Sequence, residues 1–537
     1  ELLALHYAGG DRLFVPVHRL HQVQKYAGSG ADPKLDRLGG QSFAKTKTRV
    51  RRRLLRLADD LLKLYAERAQ LQRPPLAPRD DELSSFEAAF PFEETADQAA
   101  AIADVYQALE STQPMDRLVC GDVGFGKTEV ALRAAFRTAM AGRQVALLCP
   151  TTVLAQQHFN TFQSRLAPHG VEVRVMSRFQ GKAAQSDTLA GLAKGTVDVV
   201  VGTHRLLSKD VHFKQLGLLV VDEEHRFGVT HKERIKQIRG SVDVLTLSAT
   251  PIPRTLQMAV GGLRDLSVIA TPPVDRRSVR TLVARFEREL VTEAIHRELS
   301  RGGQIFFVHN RIEGLFERAA QLREWVPEAR IVVAHGQMGE HELERAMLGF
   351  VAGEYDLLAS TAIIESGLDI PRANTILIDR ADLFGLAQLH QLRGRVGRSS
   401  ERAWCYLLVS PATQLTEEAR RRMEALERFS DLGSGLHLAT LDMELRGAGD
   451  LLGAEQSGFV ASVGFDLFCT MLEDARRELQ GDTVVHEVDP ELNLDVETLL
   501  PEDYVAEVGL RLALYKRLAS AATEEEVDDL ADRKSVV

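Results

Sequence analysis

The chain has 537 residues, 45% of them apolar and 26% charged, with a formal net charge of −10. That length exceeds what one hydrophobic core serves and points to several compact units of an ordinary soluble globular protein. No run of about 18 apolar residues and no cleavable leader is present, which argues against a membrane span and for a cytoplasmic location, while the bulk acidity leaves room for a local basic groove.

Both ends read as cut, since no initiator Met opens the sequence and "RKSVV" leads nowhere after an acidic helix. "LLALHYAGGDRLFVPV" alternates Leu3, Leu5 and Tyr7 with Leu13, Val15 and Val17 around Gly9-Gly10-Asp11, which predicts a hairpin of a small β module. A Gly/Pro/Asp-rich connector runs to Gly40. Val50, Leu54, Leu57, Leu61 and Leu64 then recur at helical spacing and predict one long helix. Its first half carries Lys45, Lys47, Arg49, Arg51, Arg52, Arg53 and Arg56 with no acid between them, either a solvated face or a contact with DNA or an acidic partner. "PPLAPRDD" (74–81) reads as a linker.

From about residue 95, short β-branched runs alternate with helical windows. They are "VALLCP" (145–150), "VDVVVGTH" (197–204), "LGLLVVDEEH" (216–225) and "VLTLSAT" (244–250). After a break at "ATPPVDRRS" (270–278) the series restarts with "QIFFVHN" (304–310), "IVVAHG" (331–336), "YDLLAST" (355–361), "TILIDR" (375–380) and "CYLLVS" (405–410). Continuous apolar strands of this kind suit parallel sheets covered on both faces. The fold class is therefore α/β, with two tandem doubly wound parallel-sheet lobes. Cys120, Cys149, Cys405 and Cys469 are scattered without metal or redox spacing, so buried free thiols are expected.

"GDVGFGKT" (121–128) satisfies G-x-x-x-x-G-K-[ST] between an apolar run and a helical window. Gly121, Asp122, Val123, Gly124, Phe125 and Gly126 would wrap phosphate oxygens with backbone N–H groups, helped by the helix N-terminus. Lys127 would reach the β- and γ-phosphates of ATP, and the Thr128 hydroxyl would ligate Mg²⁺. "LLVVDEEH" ends a buried strand in two carboxylates: Asp222 to hold Mg²⁺ and Glu223 to polarise the attacking water. "QLHQLRGRVGRS" (388–399) puts Arg395 and Arg398 one turn apart, on one face if the segment is helical. Surface arginines are usually solvated; supplied from the second lobe, these two would make hydrolysis depend on closure of the cleft.

The whole series of motifs resembles the superfamily 2 helicases and translocases. It comprises "PTTVLAQQH" (150–158), "VGTHR" (201–205), DEEH (222–225), "LSATPIPRT" (247–255), "STAIIESGLDIP" (360–371) and the arginine stretch. The resemblance implies RecA-like lobes. It puts Phe92 and Gln98 of "FEETADQ" against adenine, and Gly367 and Asp369 near the nucleotide. It implies that His225, Ser248 and Thr250 couple the nucleotide state to grip on nucleic acid. Thr151, Gln156, Thr203, His204, Arg205, Asn310, Arg311, Ser360 and Thr361 would touch the strand.

Within that superfamily, residues 90–465 are similar both to RecG-type fork-remodelling helicases and to the bacterial transcription-repair coupling factors. "HYAGGDRLFVPV", "KLDRLGG", "VGFDLFCTMLEDA" (463–475) and "LPEDYVAEVGLRLALYKRLA" (500–519) favour the latter. The resemblance then implies an ATP-dependent double-stranded DNA translocase that pushes stalled RNA polymerase. Its implied partners are double-stranded DNA and the RNA polymerase β subunit; excision-repair proteins would be reached only through an N-terminal half that this sequence lacks.

The glycine-rich "RGAGDLLGAEQSG" (446–458) follows a helix opened by Thr416, with Glu417 and Glu418 in its first turn. In both resembling families this region is a translocation motif, a helical hairpin plus loop, with Arg446 and Gln456 as coupling residues. The expected organisation is a partial polymerase-interacting module at 1–30, linker and basic helix at 31–82, lobe 1 at 83–270, lobe 2 at 271–412, translocation motif at 413–480 and the start of a C-terminal domain at 481–537.

Overall fold

The computed structural model describes residues 2–16, 45–56, 71–76, 81–177, 180–224, 242–249, 265–273, 278–365, 370–398, 401–410, 415–429 and 433–435, together with scattered short or single positions elsewhere. These fall into two compact units, one within 61–442 and the other within 1–60 and 443–537. Among the described residues no helix is long and apolar enough to cross a membrane.

In the second of these units, β1 (Leu2–His6) and β2 (Arg12–Pro16) pair antiparallel, with Leu3 opposite Val15 and Leu5 opposite Leu13, as the alternation predicts. Gly9 and Gly10 turn the chain at φ of +96° and +89°, a region L side chains avoid. Residues 45–56 are helical, and Val50 and Leu54 are buried as the stripe predicts. Arg51 of the basic run reaches Glu478 at 2.9 Å, an exposed pair worth little by itself. Leu57, Leu61, Leu64 and Cys469 lie outside the described residues.

The larger unit holds both lobes. Lobe 1 is a seven-stranded sheet in the order β5-β6-β4-β7-β8-β3-β9. Its strands are β3 (Asp116–Gly121), β4 (Gln144–Leu148), β5 (Val173–Met176), β6 (Val199–Gly202), β7 (Leu216–Asp222), β8 (Asp243–Ser248) and β9 (Asp265–Ile269). Lobe 2 is a six-stranded sheet in the order β10-β15-β14-β11-β13-β12. It is built from β10 (Arg280–Arg285), β11 (Gln304–Val308), β12 (Ile331–Ala334), β13 (Leu357–Ser360), β14 (Ala373–Asp379) and β15 (Trp404–Val409). Among the described residues every pairing in both sheets is parallel. The expected α/β class with two doubly wound lobes is the observed one. Parallel order puts all strand C-termini of a lobe along one edge, where such sheets bind ligands.

Three strands escape the apolar-run pattern: β5, β9 and β10. All three are sheet edges, where Arg174, Ser267 and Arg280 interrupt the apolar sequence. Lobe 1 also begins earlier than residue 83. Leu76 is buried and Arg73 is fixed to the base of the sheet: Nε donates to Asp243 Oδ1 at 3.0 Å, and Nη1 and Nη2 donate to the carbonyls of Leu109 and Ala108. A stretch that reads as linker thus starts as packed structure.

Six helices position the sites. They are α1 (Ala96–Glu110), α2 (Lys127–Met140), α3 (Thr152–Leu166), α4 (Ile312–Trp325), α5 (Leu386–Arg393) and α6 (Glu417–Arg428). Thr416 caps α6 as its sequence predicts, accepting from Ala419 N at 3.2 Å. α6 packs on β10, and Val283 N donates to Glu427 Oε1 at 3.4 Å, so this helix covers lobe 2. Cys120, Cys149 and Cys405 are buried and free.

Candidate active site

The phosphate loop joins β3 to α2. Gly124 and Gly126 hold φ of +82° and +83°, and a Cβ on Gly126 would collide with the side chain of Gln98. No side chain caps the start of α2, so its first N–H groups are left to a ligand such as a phosphate. Lys127 Nζ donates to the carbonyls of Gly121 at 2.5 Å and Asp122 at 2.8 Å. Burial lowers the Lys127 pKa, opposed by the carboxylates of Glu223, Asp222 and Asp122. Gln98 is the third residue of a capping box, with Oε1 accepting from Thr95 N, while its Nε2 braces the loop at Phe125 O, 3.0 Å away. Phe92 stands 64% exposed, a ring face open to a planar ligand.

β8 lies between β3 and β7, so the C-terminal ends of all three share the edge that carries the loop. Asp222 ends β7, and His158 Nε2 of α3 holds its Oδ2 at 3.0 Å. Glu223 follows in the left-handed region at φ +53° and is buried. Its Oε1 accepts from Ala249 N at 3.3 Å, directly after Ser248 at the end of β8. Ala249 of "SAT" is therefore tied to the carboxylate expected to polarise water. Thr250 and His225 lie outside the described residues.

Lobe 2 reaches the loop through α5 and the residues after it. A Cβ on Gly394 would lie 3.2 Å from Val123 Cβ, and His390 Nε2 is 2.8 Å from Asp122 Oδ1. Arg395 is buried at 3% exposure. Arg395 and Arg398 do not share a helical face, because α5 ends at Arg393 and Gly397 turns at φ +76°. Arg398 Nε instead bends back onto Gly394 O at 3.3 Å. Gly367 and Asp369 lie outside the described residues, as do Arg446 and Gln456.

The residues expected to touch a strand sit at other strand ends. Thr151 follows β4 and caps α3 through Leu154 N, and Gln156 is half-buried on that helix, bonded to Asn160. Thr203 follows β6; Asn310 and Arg311 follow β11; Ser360 ends β13, with Thr361 next. Thr203 Oγ1, Asn310 Oδ1 and Ser360 Oγ are buried with no hydrogen-bond partner among the described residues. Buried polar atoms of this kind are normally satisfied, which makes these three candidates for a contact with a ligand. His204 stacks on His231 at 5.2 Å, and Arg205 grips Asp210 through both terminal nitrogens. In lobe 1 the sheet order separates the two sets: β4 and β6 carry the strand candidates, and β7, β8 and β3 carry the nucleotide candidates.

Residues 95–259 match the DEAD/DEAH box helicase family, 287–400 the helicase conserved C-terminal domain and 494–533 the TRCF domain. The two helicase matches fall on lobe 1 and lobe 2 respectively. It is 51% identical over 533 residues to a transcription-repair-coupling factor of Myxococcus xanthus and 50% identical over 534 residues to that of Bacillus subtilis. Those matches cover 99% of this chain but 44% and 45% of the relatives, so the chain spans less than half their length. A solved structure of RecG bound to a three-way DNA junction is similar at a TM-score of 0.65 and 35% identity, covering 80% of this chain and 57% of that one.

Three further residues make contacts at this site that motif reading passes over. His158 orients Asp222 from inside the quoted "PTTVLAQQH". Arg276, in the segment between the lobes, donates from Nη1 to Val123 O and lies 5.5 Å over the Phe125 ring. His390 precedes the arginine stretch and meets Asp122. Burial alone would raise the Asp122 pKa; the His390 hydrogen bond, with the charges of Lys127 and Arg276, outweighs it and lowers the value. None of these residues fits a spacing rule, and each acts through a contact distant in sequence.

Proposed function

We propose that the chain is an ATP-dependent double-stranded DNA translocase that displaces stalled RNA polymerase in transcription-coupled DNA repair. One arrangement carries the ATPase part: a phosphate loop with an uncapped helix start, beside the Asp222–Glu223 strand end and covered by α5 of lobe 2. Lys127 and the loop N–H groups bind the phosphates. Thr128 and Asp222 would hold Mg²⁺, whose charge offsets that of the phosphates. Glu223, positioned by Ala249 N, takes the proton of the attacking water, while Arg395 and Arg398 face the charge that develops on the γ-phosphate. Gly367 and Asp369 near the nucleotide, and His225, Thr250, Arg446 and Gln456 in coupling, remain assignments from sequence.

Duplex DNA would run over the ends of β4, β6, β11 and β13, where Thr203, Asn310 and Ser360 offer unsatisfied polar atoms. The β1–β2 hairpin would meet the RNA polymerase β subunit, and its exposed Leu13 and Phe14 suit a protein partner. The TRCF match and the resemblance along 99% of the chain support the coupling role over a RecG-like fork remodeller. Contact with excision-repair proteins is not assigned to this chain. Incubation of a stalled elongation complex with the full chain and ATP should release the polymerase. Regression of forked DNA without release would favour the RecG-like reading instead.

A further inference from the structure

Asp122 and His390 sit inside recognisable motifs, yet the chemistry above gives neither side chain a role. Asp122 fills an unconstrained position of G-x-x-x-x-G-K-[ST], and His390 precedes the arginines. The fold brings them together across 268 residues of sequence, His390 Nε2 to Asp122 Oδ1 at 2.8 Å. Behind the ring, Arg393 Nη2 is 3.1 Å from His390 Nδ1. A guanidinium cannot accept a hydrogen bond. Nδ1 must therefore accept, and the ring proton on Nε2 is donated to Asp122, a placement assigned from this network. Arg393 is fixed in turn by the carbonyls of Leu426 and Phe429, both at 2.8 Å. The carboxylate is closed in on another side by Gly435, where a Cβ would collide with it.

A carboxylate in a phosphate cradle carries the same sign as the ligand. Buried without a partner, it would compete with phosphate for Lys127 and the loop N–H groups. The donor that occupies it comes from the other lobe, on a helix whose aim is set by the end of α6.

We propose that His390 is a positioning residue of the ATP site that acts through Asp122: by binding the carboxylate it keeps Asp122 off the phosphate-binding groups, so nucleotide affinity depends on lobe 2 being seated on the loop. This rests on the proposed ATP site. It makes the phosphate loop sense lobe 2 before any hydrolysis occurs, separately from the role given to Arg395 and Arg398.

The test is the affinity of the full chain for a fluorescent ADP analogue. His390→Ala should weaken binding about tenfold, the scale of one lost charge-assisted hydrogen bond. His390→Gln, which still offers an amide donor, should stay within about threefold of the parent. On an Asp122→Asn background the same His390→Ala change should cost less than about threefold, because the carboxylate it manages is gone. An equal cost on both backgrounds, or none on either, overturns the proposal. Should His390→Ala fail to fold, His390→Asn, whose shorter amide falls short of Asp122, takes its place in the same comparison. Lys127→Ala separates the two readings. Parent-like affinity in that variant overturns the ATP site and this inference with it. Lost affinity there beside an unaffected His390→Ala overturns this inference alone.

Discussion

Glu223→Gln should leave nucleotide binding intact and lower ATP turnover by about 10²–10⁴-fold, the range expected when a positioned base is removed. The substitution preserves shape, and an amide oxygen can still accept from Ala249 N, which Glu223 Oε1 does at 3.3 Å. The phosphate loop is untouched, so binding and chemistry separate cleanly. Single-turnover hydrolysis beside equilibrium nucleotide binding reads both. Turnover at the parent rate would remove Glu223 from the mechanism, whereas loss of binding would show that it shapes the cradle.

Arg73→Ala should produce the largest loss of stability, about 3–5 kcal/mol at neutral pH, because it leaves a buried carboxylate without its cation. The Arg73 and Asp243 side chains are 9% and 2% exposed, and Asp243 also accepts from Met115 N at 2.6 Å. Burial raises the Asp243 pKa even with Arg73 and Met115 opposing it. The sign follows from that direction. A carboxyl raised in the fold contributes stability that is present below its ordinary value and is lost as pH climbs through the folded one. Removing Arg73 drives the value higher still, so the variant's deficit should be greatest at neutral pH and shrink on acidification towards the ordinary carboxylate range. Arg73→Ala with Asp243→Asn should recover part of the loss and flatten its pH dependence. Thermal melts across pH decide; a single variant that melts with the parent throughout would show that the anchor is worth little.

The sequence was most legible where chemistry is local. The phosphate loop, the Asp222–Glu223 strand end and the Thr416 cap each depend on neighbours a few residues away, and each lies where its spacing predicts. The central strands were visible because burial on both faces demands unbroken apolar runs. The edges β5, β9 and β10 were not, because an edge tolerates Arg174, Ser267 and Arg280. For Arg395 and Arg398 the condition of a helical segment is not met, because the helix ends at Arg393 and Gly397 turns at positive φ. Arg73, just before the stretch read as linker, gave no sign of its anchoring role, because its partners, Asp243 and the carbonyls of Ala108 and Leu109, come from far along the chain. The same holds for His390 and Asp122: nothing local announces a pair that exists only once two lobes meet.

The helix α6 has a practical consequence for dividing this chain. β10 is hydrogen-bonded to β15 on one side, and on the other its Val283 N–H is taken by Glu427 of α6. A fragment ended after β15 would keep an intact-looking lobe but bare that strand edge, a ready template for β-pairing between molecules. A fragment ending at residue 410 should therefore self-associate in sedimentation experiments under conditions where one ending at 429 stays monodisperse. Equal behaviour of the two would mean that α6 does not guard the edge. The boundary at which the two lobes stay monodisperse is then set by a helix beyond their last strand.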